Sequence, residues 1–148
     1  MNRLLLIFIV CFLISEINLF GQESIVSYPT ILENEKPDYV VFSNNGEQIA
    51  SGLFGCIRIW DINSKNYRDY KTKLKNETPH FICFSPDDKY IAAGVYGAVR
   101  IWNIQTGEFT DYPTKLKNEK PTFIKFSPDG QLIACGLFGE VRTWKIIY

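Results

Sequence analysis

Histidine is almost missing from this chain: His80 stands alone among 148 residues. A single imidazole leaves no metal-ligand spacing among the cysteines and histidine. Nor does it leave a base repeated beside candidate serine or cysteine nucleophiles. There is no glycine-rich phosphate loop and no repeated inward carboxylate pair, so no catalytic, cofactor-binding or metal residue is assigned. Net charge is missing too, because 16 basic side chains cancel 16 acidic ones. Without a basic block there is no electrostatic footprint for nucleic acid or for an anionic membrane surface. Long apolar runs are limited to "LLLIFIVCFLI", Leu4 to Ile14. That is shorter than the roughly 20 residues that cross a bilayer.

Such a run behind Met1, Asn2 and Arg3, broken by Ser15, Glu16 and Asn18 and followed by Gly21, reads as a cleaved secretory signal over residues 1–21. An uncleaved anchor is the alternative. Phe8, Ile9 and Val10 are too bulky for lipid attachment at Cys11. The expected destination is secreted, periplasmic or cell envelope. Cys56, Cys83 and Cys135 then remain, an odd number that cannot all pair internally. Cys83 and Cys135 occupy small strand positions, and Cys56, standing where the other copies carry Ala98 and Glu140, is placed at an exposed one.

What the chain has in abundance is itself. "GLFGCIRIWD" from Gly52 returns as "GVYGAVRIWN" from Gly94 and "GLFGEVRTWK" from Gly136, a period of 42. Trp60, Trp102 and Trp144 match, as do Phe42, Phe84 and Phe126, and Tyr28, Tyr70 and Tyr112. A period of this size marks stacked supersecondary units, here about 22–63, 64–105 and 106–148 within a repeat domain of residues 22–148. Each unit reads as four short strands. "PDYVVFS" and its copies alternate, with Val40, Ile82 and Ile124 on the face of the phenylalanines. "SNNGE", "SPDDK" and "SPDGQ" supply turn chemistry. A second strand, a glycine-bounded connection, a third strand around Arg58, Arg100 or Arg142, and a polar outer strand such as "YRDYK" follow. No window shows helical spacing, so the domain is all β.

"FSPDGQLIACGLFGEVRTW" resembles the core of the WD40-repeat family. The resemblance implies a β-propeller built of four-stranded antiparallel blades and the role of a protein-interaction platform. The family's usual aspartate in the connection between second and third strands is replaced by Phe54, Tyr96 or Phe138, and only Ser51 keeps the family's hydroxyl, against Ala93 and Cys135. The family's polar tie is thus expected to be lost, with the aromatic ring burying surface in its stead.

Three blades form a partial propeller, since rings close with about four to eight. "SIVSYPT" at the amino end is equivalent to an outer strand, while the third unit runs only to its third strand. Burying roughly 800 Å² of apolar blade face at about 25 cal/mol/Å² is worth about 20 kcal/mol, against association costs of about 4 to 15 kcal/mol. The expectation is therefore a homodimer of six blades, each chain's first strand completing the other's last blade. A truncated propeller and an unclosed three-blade monomer are the competing readings.

Leu53, Phe54, Val95, Tyr96, Leu137 and Phe138 fall in connections that the resemblance puts on one rim. They are the candidate partner-binding residues, for a protein or peptide, or else their rings fold inward. The three arginines are expected to stack near the indoles, with an anion-binding ring as the other reading. His80 is read as a loop residue, "TKLKNE" as a solvated edge, and Asn76-Glu77-Thr78 as a glycosylation triplet. The expected function is a non-enzymatic scaffold. The alternatives are a propeller fragment with an enzymatic or small-ligand role in its channel, or a vestigial one.

Overall fold

A computed structural model of the chain describes residues 26–32 and 34–147. The signal expected over residues 1–21 lies outside them. Three antiparallel sheets follow one another along the sequence. The first holds β1 (Val40–Phe42), β2 (Gln48–Leu53), β3 (Cys56–Asp61) and β4 (Tyr67–Lys71), in that spatial order. The second holds β5 (His80–Phe84), β6 (Tyr90–Val95), β7 (Ala98–Asn103) and β8 (Phe109–Pro113), again in order. In the third, β9 (Thr122–Phe126), β10 (Leu132–Leu137) and β11 (Glu140–Lys145) pair in sequence. No helix occurs among the described residues.

The sequence period becomes a register period. Ile49 faces Trp60, Ile91 faces Trp102 and Ile133 faces Trp144 across the central strand pair of each sheet. The expected turns close as i to i+3 bonds: Gly46 to the Ser43 carbonyl, Asp88 to Ser85 and Gly130 to Ser127. The third sheet has three strands among the described residues, in keeping with a third unit that runs only to its third strand, where the general reading of four strands per unit holds for the other two. One expectation needs correction. Residues 26–30 form no strand, because no strand among the described residues offers them a ladder. Instead the Tyr28 ring stands edge-on to Trp60 with centroids 6.2 Å apart, as Tyr112 stands to Trp144, also at 6.2 Å. The amino-terminal segment thus lies on the first sheet as an outer strand lies on the sheet that follows it.

The core sits between the sheets. Ala50, Ile57 and Tyr70 meet Ile82, Phe84 and Ile91 in one cluster. Val99, Ile101 and Tyr112 meet Ile124, Ile133 and Cys135 in the next. Each such fully buried aliphatic side chain contributes about 1.5–3 kcal/mol. Among the inner strands, β5 adjoins both β1 and β9. Two of them break register, between His80 and Cys83 and opposite Ala134 and Gly136, where Phe81 and Phe123 take φ of 53° and 51°. These bulges aim Phe81 between Tyr39 and Phe123, with ring centroids 4.6 and 5.1 Å away.

Cys56, expected at the surface, is buried. It packs with Leu53 and Trp60, against which Tyr28 and Ile49 lie, and burial, with Asp69 nearby, pushes its thiol up to about 12. The Cys83 thiol is likewise pushed up to about 12 and that of Cys135 to about 11, in both cases chiefly by burial. All three are free thiols.

Candidate interaction surface

The connection between second and third strands turns on Gly55, Gly97 and Gly139, at φ of 83°, 75° and 78°. Left-handed backbone of this kind suits glycine. Just before each glycine, an aromatic N–H points to a carboxylate from the same unit. Phe54 donates to Glu35 Oε1, Tyr96 to Glu77 Oε1, and Phe138 to Glu119 Oε1 at 2.7 Å. The glutamate of "NEKP" and "NETP" therefore holds the connection, a role the sequence reading left vacant. The signal was a constant separation of 19 residues from each glutamate to its aromatic.

Each glutamate is itself set by a folded connector. Thr30, Thr72 and Thr114 donate their hydroxyls to the carbonyls of Leu32, Leu74 and Leu116 at 2.7, 2.7 and 2.8 Å. The amides of Glu35, Glu77 and Glu119 donate to the same three carbonyls at 3.0, 3.2 and 3.1 Å. With its backbone closed on itself in this way, the connector turns its leucine outward. Leu32, Leu74 and Leu116 are all more than half exposed.

The aromatic rings beside these connectors are not folded inward. Phe54 is 48 % exposed, Tyr96 45 % and Phe138 93 %. Leu53 and Val95 are core residues, and Leu137 is half-buried. The rim therefore shows, sheet by sheet, an aromatic ring and a leucine. Lys120 Nζ lies 4.5 Å from the Tyr96 ring centroid. Beside Phe54 a shallow groove of about 370 Å³ is lined by Ile31, Arg58, Asp69, Thr72 and Lys75.

Arg58 and Arg100 are occupied. Arg58 donates from Nε and Nη2 to the Asp69 carboxylate at 2.6 and 2.9 Å, and Arg100 likewise to Asp111 at 2.5 and 2.9 Å. The hydrogen bond to Asp69 holds the Arg58 guanidinium above its ordinary value. At Asp111 burial works to raise the carboxyl, but hydrogen bonds from Arg100 and Lys73 outweigh it and leave the group below the usual range. Each guanidinium also lies over an outer-strand ring, Arg58 3.8 Å from the centroid of Tyr67 and Arg100 4.0 Å from that of Phe109. Stacking thus engages the outer strand more closely than the expected indole, since Arg100 is 5.6 Å from Trp102. Arg142 pairs with Glu140 on its own strand.

His80 begins β5, with Nδ1 3.5 Å from Asp38 and Nε2 3.4 Å from Lys120 Nζ. Burial first, and the Lys120 charge second, lower its basicity against the pull of Asp38 and Glu77. Among the described residues no cluster of three or more His, Cys, Asp or Glu side chains forms a metal cradle.

Three like sheets, short glycine turns and an Arg–Trp strand in each define a repeat protein of stacked β-units. The family described as WD domain, G-beta repeat matches residues 75–103, which run from the second connector through β7. That stretch of the chain is a WD40 repeat. No curated protein matches it.

Proposed function

We propose that this WD40-repeat chain is an exported, non-enzymatic scaffold for protein–protein contacts, working as a homodimer of two three-blade halves with six blades in all. The rim carries the reading. Phe54, Tyr96 and Phe138, alternating with Leu32, Leu74 and Leu116, repeat an exposed aromatic–aliphatic pair at each blade. Aromatic side chains on a rigid backbone supply contact area at small entropic cost, the pattern of binding hot spots. The glutamate anchors hold the turn that presents each ring. Leu53 and Val95 lie inside, so within the candidate set the contact narrows to Phe54, Tyr96 and Phe138, with Leu137 at its edge. Export rests on the apolar run from Leu4 to Ile14 behind Arg3.

The test is capture from the native envelope fraction by immobilised mature protein and by a Phe54→Glu, Tyr96→Glu variant. Both rings are exposed, so the variant keeps its fold. A partner held by the parent and lost by the folded variant supports the reading. Equal capture by both removes the rim as the contact. Mass spectrometry of the exported chain checks the signal: an amino terminus at or near Gln22 is expected, and a retained Met1 in the envelope fraction contradicts cleavage.

A further inference from the structure

The two outer faces of the stack carry residues of the kind that are buried between its inner sheets. Val141 is 78 % exposed, whereas its equivalents Ile57 and Val99 are 0 %. Phe42 is 65 % exposed against 8 % for Phe84, and Val40 is 57 % exposed against 4 % for Ile82 and 3 % for Ile124. Within the chain, a face like that of Val40 and Phe42 always covers a face like that of Val141. A surface of the kind that fits the third sheet is thus the first sheet, which a second copy would supply.

The amino-terminal connector is already shaped for that joint. Thr30 and Glu35 make the same hydrogen bonds as Thr72 and Glu77 and as Thr114 and Glu119. The latter two pairs link consecutive sheets: Gly55 N–H reaches the Glu77 carbonyl at 2.8 Å and Thr72 N–H the Gly55 carbonyl at 2.9 Å. Gly97 is gripped in the same way by Glu119 and Thr114, at 2.9 and 2.8 Å. Gly139 has the same backbone, but among the described residues nothing stands within 4 Å of the place where its Cβ would be. At Gly55 and Gly97 the Lys75 and Lys117 carbonyls stand 3.0 and 2.5 Å from that place. A separate observation points the same way. The Tyr39–Phe81–Phe123 ring stack ends at Phe123, which is 77 % exposed.

We propose that residues 26–37 of one copy seat on the third sheet of a second copy, with Thr30 and Glu35 gripping the Gly139 turn and Tyr39 lying on Phe123. The proposal rests on the homodimer reading above and supplies its joint. The register of β3 with β4 and of β7 with β8, carried over, sets Tyr28 opposite Val141 and Ser27 opposite Arg142. Ser27 replaces Asp69 and Asp111, so Arg142 meets a hydroxyl and keeps Glu140 as its counter-ion. Two such joints related by a two-fold axis close a ring of six sheets, within the range of propellers.

Sedimentation equilibrium of the mature protein, of Val141→Arg, and of a Ser27→Cys, Arg142→Cys double variant tests this. The parent is expected at twice the chain mass. Val141→Arg buries a charge only in the joint, so it is expected to keep its circular dichroism and to weaken association on the order of 100-fold. The double variant, oxidised, is expected to form an intermolecular disulfide, because this pair faces without intervening ladder bonds. A monomeric parent overturns the homodimer itself. A dimer indifferent to Val141→Arg, or a double variant that stays uncrosslinked or closes within one chain, overturns the joint while leaving the dimer standing. Rim capture is read separately, so neither result decides the scaffold role.

Discussion

Replacing Arg100 with leucine should be far more damaging than the same change at Arg142, although the sequence repeats the two positions. The Arg100 side chain is 3 % exposed and makes two short hydrogen bonds to Asp111, itself 25 % exposed. Removing the guanidinium strands a mostly buried carboxylate, a loss of about 3–5 kcal/mol for a buried pair. Lys73 remains on Asp111 at 2.7 Å, so the lower end, about 3 kcal/mol, is expected. In a domain of this size that lowers Tm by about 10 °C. Arg142 faces the more exposed Glu140, and exposed pairs contribute about 0–1 kcal/mol. The pH dependence follows from the carboxylate. Asp111 titrates in the folded state below its unfolded value of about 3.9. Its stabilisation is therefore complete well above pH 4 and fades as the pH falls through the folded pKa. The gap between parent and Arg100→Leu should be full at pH 7 and narrow below about pH 4. Urea titrations at both pH values measure it. Equal losses at Arg100 and Arg142, or a gap that widens in acid, would refute the reasoning.

Gly97→Ala should cost more than Gly139→Ala. Both pay for left-handed backbone, about 1 kcal/mol, but only at Gly97 does the new Cβ meet a carbonyl, that of Lys117, at 2.5 Å. Urea midpoints of the two variants, taken at concentrations too low for association, check this, and equal shifts would show that the close approach does not matter. Cys56, Cys83 and Cys135, whose thiols are raised to about 12, 12 and 11, should react with a disulfide reagent at pH 8 at least about 100-fold more slowly in the native protein than in denaturant. Prompt native labelling of Cys56 would contradict its burial.

The strands, their order and the tryptophan register were legible because a period of two and glycine-bounded turns are local signals, stated three times over. The Glu35, Glu77 and Glu119 anchors were not, because each acts 19 residues away on a backbone N–H that carries no side-chain signature. The partners of Arg58 and Arg100 were hidden for a similar reason. Asp69 and Asp111 lie 11 residues on, and only the register of β3 with β4 and of β7 with β8 sets them opposite. The fate of Phe54, Tyr96 and Phe138 turned on that missing anchor: once a carboxylate holds the turn, the ring is free to face solvent. The bulges at Phe81 and Phe123 escaped notice because β-like alternation continues through them in the sequence. The shifted register and the φ values near +50° reveal the break.

The most direct test of the account is whether successive sheets meet through one repeated joint, with the amino-terminal segment standing in for an outer strand. Nuclear Overhauser spectra of the mature protein with assigned aromatic rings read this from Tyr28 and Tyr112. The account predicts cross-peaks from Tyr28 to Trp60 and from Tyr112 to Trp144, both at ring separations of 6.2 Å. Cross-peaks for Tyr112 but none between Tyr28 and Trp60, in a folded sample, would contradict it.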